Sequence, residues 1–94
     1  MKEKIRLQLR FTGRVQGVGF RYTAVYGANR LGLTGWVCNK WDSSVLMEVQ
    51  GTRKLIDKLI GYLNEGTFIS IENIDEKEIP LITYETSFEE MPSD

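Results

Sequence analysis

The chain has 94 residues, a net charge of −1 and 41% hydrophobic residues. That is enough for one modest core and one domain, here residues 1–94. Near-neutral charge supplies no field to draw the chain to nucleic acid or to a membrane surface. No apolar run reaches the ~20 residues of a membrane-spanning helix, and Met1 to Arg6 carries no apolar leader core, so a cytoplasmic protein is expected.

Histidine is absent. That excludes triads with a histidine base and most zinc sites. The single cysteine, Cys38, rules out an internal disulfide. The residues after it, Asn39 to Ser44, lack the arginine that a thiol phosphatase loop needs. Any catalysis must therefore rest on positioning and electrostatics.

In chain order, Ile5, Leu7, Leu9 and Phe11 alternate with Arg6, Gln8 and Arg10, which predicts a half-buried strand. A loop with three glycines follows: Gly13-Arg14-Val15-Gln16-Gly17-Val18-Gly19-Phe20-Arg21. Ala24, Ala28 and Leu31 then mark one face of a helix from about Phe20 to Leu31, with Gly32 as its stop. Gly27 weakens that helix by roughly 1 kcal/mol relative to alanine, which suggests a close-packed neighbour. Thr34–Asn39 and Val45–Gln50 read as two strands joined by a Lys40–Ser44 hairpin. Gly51-Thr52 caps a second helix, Arg53 to Leu63, whose Leu55, Ile56, Leu59, Ile60 and Leu63 form an apolar stripe. A further strand is expected near Ile71–Ile79, a short edge strand near Thr83–Phe88, and a frayed tail from Glu89 to Asp94.

The order β-α-β-β-α-β is the split βαβ, ferredoxin-like plan: an antiparallel sheet with two helices on one face and a short fifth edge strand. The plan alone supports no function. The glycine loop does. Glycines let backbone N–H groups turn inward, and the first N–H groups of a helix have no intrahelical partner. Together with the helix dipole they form an anion cup suited to phosphate. Arg21, at the mouth of the helix, adds a planar, permanently charged fork. A strand–turn–helix corner with a solvated arginine is the competing reading of these residues. Asn39, just before the hairpin, reads in isolation as a turn former. It gains interest because the first two strands and the helix between them can bring it toward Arg21, and an amide holds water with both a donor and an acceptor.

Two motifs in order and spacing carry a resemblance. Gly13 to Arg21, followed by Leu31-Gly32-Leu33-Thr34-Gly35-Trp36-Val37-Cys38-Asn39, resembles the acylphosphatase family, which carries G-x-V-Q-G-V-x-F-R and then L-G-L-x-G-W-V, one residue and an asparagine. Val45 to Gly51 fits the family's third strand. The resemblance implies hydrolysis of a carboxyl–phosphate anhydride to a carboxylate and inorganic phosphate. It implies that Arg14, Val15, Gln16, Gly17, Val18, Gly19 and Phe20 cradle the phosphoryl group, that Arg21 binds it, and that Asn39 holds the attacking water. No metal or cofactor is implied. The expected partners are an acyl phosphate, with inorganic phosphate as product and competitor, and the expected state is a monomer. The chain departs from the family at the hairpin, where Trp41-Asp42-Ser43-Ser44 lacks a glycine. It departs again at Gly66–Glu72 and at the end, Phe88–Asp94.

Chemistry independent of the resemblance agrees with it. Phosphoryl transfer asks a protein for positioning and charge stabilisation. A carboxylate leaving group, whose acid has a pKa of about 4, needs no general acid. A site without histidine, metal or thiolate suffices for an acyl phosphate and falls short for an alkyl monoester. A non-catalytic phosphate-binding module is the alternative. An RNA-binding domain is a distant third, because Gly17–Tyr22 precedes a helix where that class needs a central strand.

Overall fold

Alternation over Ile5–Phe11 does produce a strand, β1 (Lys4–Arg14), with Leu7, Leu9 and Phe11 buried on one side. The structure, a computed structural model, describes residues 3–93. Helix α1 (Phe20–Arg30) leads to strand β2 (Thr34–Asn39), and strand β3 (Val45–Thr52) leads to helix α2 (Arg53–Asn64). Strands β4 (Ser70–Ile79) and β5 (Phe88–Glu90) complete the order. The sheet runs β4-β1-β3-β2-β5, and its two longest registers, β1–β3 and β1–β4, share β1. The ferredoxin-like α+β plan is therefore present.

One core holds the sheet and helices together. Leu7, Leu9, Phe11, Val37, Met47 and Val49 from the strands meet Phe20, Ala24 and Ala28 of α1 and Ile56, Leu59 and Leu63 of α2. Thr52 caps α2, its hydroxyl accepting from the Leu55 N–H at 3.4 Å. Gly27 has the close neighbour its cost implied: a Cβ there would lie 2.8 Å from Tyr62 Cδ2 and 3.1 Å from Leu59 Cδ1. The glycine lets the two helices approach. Among the described residues, no helix is long and apolar enough to cross a membrane.

The far end of the chain differs from expectation in three ways. The fifth strand begins at Phe88, so Thr83–Ser87 is not strand. It pairs parallel to β2, Gly35 opposite Phe88, so the sheet is mixed where a wholly antiparallel one was expected. The reason is the route. β4 lies at one edge and β5 at the other, so residues 80–87 must cross the sheet. They cross the face away from the helices and are pinned there. Arg6, fully buried, donates to Glu85 through Nη1 at 2.7 Å and Nη2 at 3.2 Å, and to Glu48 through Nε at 3.1 Å. Gln50 exchanges hydrogen bonds with the backbone of Ile82 at 2.8 and 2.9 Å. A chain carried across in this way enters β5 running alongside β2. A buried guanidinium is costly unless all its donors are met, and the crossing segment supplies the carboxylate.

The third difference is the tail. Glu89 and Glu90 belong to β5, the Met91 N–H donates to the Val37 carbonyl at 2.8 Å, and Cys38 Sγ lies 3.1 Å from the Pro92 carbonyl oxygen. Fraying was expected because the segment is a chain terminus. Backbone pairing to the open edge of β2, which position in the chain does not report, docks it. Asp94 lies outside the described residues.

Candidate active site

The loop after β1 folds onto the mouth of α1. Val15 and Phe20, each 1% exposed, anchor its two ends in the core, and the Phe20 ring meets Phe11 edge-on at 4.9 Å. Between these anchors the chain must reverse twice. Gly17 and Gly19 take φ of 71° and 82°, the left-handed region that costs other residues about 1 kcal/mol or more. Gly19 is also the N-cap of α1. It has no side chain to accept from the first-turn N–H groups, and no acidic residue lies in that turn. A helix start whose donors are left unsatisfied by its own side chains can receive an anion.

Period-2 alternation turns Val37 and Asn39 to the helix side of β2, so Asn39 arrives at the helix mouth from the sheet. A cavity of about 180 Å³ results, lined by Val15, Gly17, Gly19, Phe20, Arg21, Tyr22, Asn39 and Glu90. Arg21 and Asn39, separated in sequence by a whole helix, face one space. Asn39 Oδ1 is buried and has no hydrogen-bond partner among the described residues. An unmet buried acceptor costs about 1–3 kcal/mol, so this oxygen stands out as one that lacks the partner buried acceptors normally have.

The side chains of the other loop residues point elsewhere. Arg14 is exposed at the end of β1, opposite Ser70 of β4. Val18 packs against the core. Gln16 is committed to the hairpin: its Nε2 donates to the carbonyls of Lys40 and Ser44, both at 2.8 Å. Any part Gln16 takes in a phosphate cradle is confined to its backbone.

The hairpin without a glycine closes by other means. Ser43 takes the left-handed conformation, φ 77°, and its N–H donates to the Lys40 carbonyl at 3.2 Å. This is a three-residue loop ending in a left-handed residue. Asp42 secures it by accepting from the Ser44 hydroxyl at 2.6 Å and the Ser44 N–H at 3.1 Å, and it pairs with Arg10. These bonds, those to Ser44 first and Arg10 after them, hold the Asp42 carboxyl down to about 2. Trp41 points to solvent, 84% exposed, and does not line the cavity. The hairpin and Gln16 together fix the strand end that carries Asn39.

Glu90 and Ser93 were missed by sequence reasoning. Glu90 Oε2 lies 2.9 Å from Arg21 Nη1, and the same nitrogen donates to Ser93 Oγ at 3.3 Å. Both lie in the terminal segment that was expected to fray, and nothing local in it signals a docking partner.

Comparison with known proteins agrees with this geometry. The acylphosphatase family model matches residues 7–90. An acylphosphatase of Clostridium perfringens is 44% identical over 85 residues, covering 89% of this chain and 96% of that one. The crystal structure of acylphosphatase from Bacillus subtilis superposes with a TM-score of 0.84 at 27% identity, covering 93% and 98% of the two chains. An acylphosphatase structure from Coxiella burnetii gives 0.83 at 31% identity, covering 94% and 93%. With the match spanning loop, helix, hairpin and sheet alike, the chain belongs to the acylphosphatase family and is an enzyme that hydrolyses acyl phosphates.

Proposed function

We propose that catalysis takes place in the cavity between the α1 N-terminus and the end of β2, without a metal. The backbone of the Val15–Phe20 loop cradles the phosphoryl oxygens, the Arg21 fork binds them, and Asn39 orients the attacking water. The observation that carries this reading is the convergence of Arg21, Asn39 and an uncapped helix start on one 180 Å³ space.

The sequence of events follows from charge. The transferring phosphoryl group spreads negative charge over its equatorial oxygens, where loop N–H groups and the guanidinium stabilise it. Asn39 accepts a hydrogen from the water and holds its lone pair toward phosphorus. The water attacks phosphorus as the bond to the carboxyl oxygen breaks. Its proton passes to a phosphate oxygen of the substrate, and the electron pair of the broken bond leaves on the carboxylate. That leaving group is stable without protonation, so the absence of histidine carries no penalty. Inorganic phosphate, being the product, competes for the same cradle. The same reading takes residues 1–94 as one domain acting as a monomer. The near-neutral charge fits a cytoplasmic enzyme with neither nucleic acid nor a membrane as partner.

The test is hydrolysis of acetyl phosphate and benzoyl phosphate by the purified chain in EDTA. Turnover of both, with glycerol phosphate slower by orders of magnitude, is expected. Loss of activity in EDTA, or equal rates on glycerol phosphate, contradicts the mechanism.

A further inference from the structure

The 180 Å³ cavity opens to solvent, and a bulky acyl part of a substrate whose phosphoryl group sits at its base extends toward the rim. Besides Arg21, two lining side chains are well exposed at the rim, Glu90 and Tyr22. As the bond to phosphorus breaks, the departing group becomes a carboxylate. The Glu90 carboxylate repels it on one side. Tyr22 carries no charge and is 74% exposed.

Tyr22 is also the shared wall of a second, larger groove. This groove, about 420 Å³, runs along the outside of α1 and is lined by Tyr22, Val25, Tyr26, Asn29 and Arg30. Its polar groups are already engaged. The Asn29 amide donates to the Phe88 carbonyl at 3.1 Å and accepts from the Phe88 N–H at 3.0 Å. Arg30 donates to Tyr26 Oη at 2.9 Å, with its guanidinium carbon 5.4 Å from the ring centroid. What remains is apolar: Val25 and the Tyr22 ring, which stacks on Tyr26 at 9° with centroids at 6.3 Å and keeps its other face open. An exposed ring beside the proposed phosphoryl site, backed by a second ring, favours an aromatic ligand, which stacks on it in offset geometry.

We propose that Tyr22 and Tyr26 form the acyl subsite of this enzyme, and that it selects aromatic acyl phosphates over small aliphatic ones. The proposal rests on the cavity at the α1 N-terminus being the phosphoryl site. The subsite binds substrate and takes no part in the chemical step, so its contribution falls on KM.

The experiment compares kcat/KM for benzoyl phosphate with kcat/KM for acetyl phosphate in the wild type, Tyr22→Ala, Tyr26→Ala and Tyr22→Phe. The ratio of the two cancels any general loss in a variant. It is expected to fall by about 3–10-fold in each alanine variant, the range of an aromatic contact, through a higher KM for benzoyl phosphate. Tyr22→Phe keeps the ring and is expected to keep the ratio. A ratio within twofold of wild type in both alanine variants overturns the subsite and leaves the phosphoryl site standing. A wild-type chain that hydrolyses neither substrate overturns both.

Discussion

Glu90 and Arg21 form an ion pair inside the cavity, Oε2 to Nη1 at 2.9 Å. The contact sets a carboxylate beside the arginine that is proposed to hold phosphate. Ser93 Oγ, at 3.3 Å, touches the same nitrogen. One tip of the guanidinium is therefore tied to the β5 tail, which orients the fork. The same contact puts negative charge where an anion must enter. Glu90 is half-exposed at the end of a three-residue strand, so it can swing aside, but its charge stays close.

Replacing Glu90 by glutamine separates the two effects, since the amide oxygen still accepts from Nη1. Inorganic phosphate is expected to inhibit about fivefold more tightly in Glu90→Gln, the roughly 1 kcal/mol of one repulsion at near-aqueous dielectric. The gain should shrink as salt is raised. Inhibition constants at two ionic strengths test this, and an unchanged constant would mean the pair only orients Arg21.

Arg21 meets phosphate both before and during the reaction. Arg21→Ala is expected to raise KM and lower kcat together, and Arg21→Lys to recover little, because a point charge does not reproduce the fork. Steady-state kinetics on both variants decide it. Near-normal activity in the lysine variant would remove Arg21 from the site.

Asn39 is proposed to position water and contributes little to holding substrate. Asn39→Ala should lower kcat on the order of 10²–10³-fold with KM nearly constant. If Asn39 served only the turn, kcat would persist and the unfolding midpoint would report a loss of about 1 kcal/mol. Both quantities should be measured on one preparation.

Gln16 acts on Asn39 at one remove, by clamping the two hairpin carbonyls. Gln16→Ala should cost about 1–2 kcal/mol of stability and reduce kcat more than it raises KM. Denaturant unfolding, read beside kinetics, checks it. Intact kcat with reduced stability would limit the clamp to folding.

The pH dependence of stability has an acid limb from Asp42. Its folded carboxyl is held down to about 2, below the usual carboxylate range near 4. The unfolded chain therefore takes up this proton first. The contribution of Asp42 is present above about pH 4 and is lost as pH falls toward 2. Asp42→Asn should flatten that part of the stability curve, and unfolding midpoints from pH 2 to 6 would show it. An identical limb in the variant would assign it to other carboxylates.

The parts of this protein legible in its sequence are those set by short-range rules. Alternation over Ile5–Phe11 and the 3.6-residue stripe of α2 follow from which faces must leave water. The glycines at 17 and 19 mark backbone turns that other residues resist, so the cup at the α1 mouth is written locally. Parity along β2 turns Asn39 the same way as Val37, and the motif order supplies its partner Arg21.

What the tertiary structure decided depends on long-range geometry. The parallel pairing of β5 follows from residues 80–87 crossing the sheet, held by Arg6 and Gln50 from strands far away in sequence. Gln16 reads locally as part of the loop, yet its amide spans to the hairpin because packing of β1 against β3 sets the two loops side by side. Glu90 and Ser93 lie in a polar tail whose composition favours solvent. Their place at Arg21 is imposed by backbone pairing to the free edge of β2, an interaction that any side-chain sequence can make and that no local pattern announces.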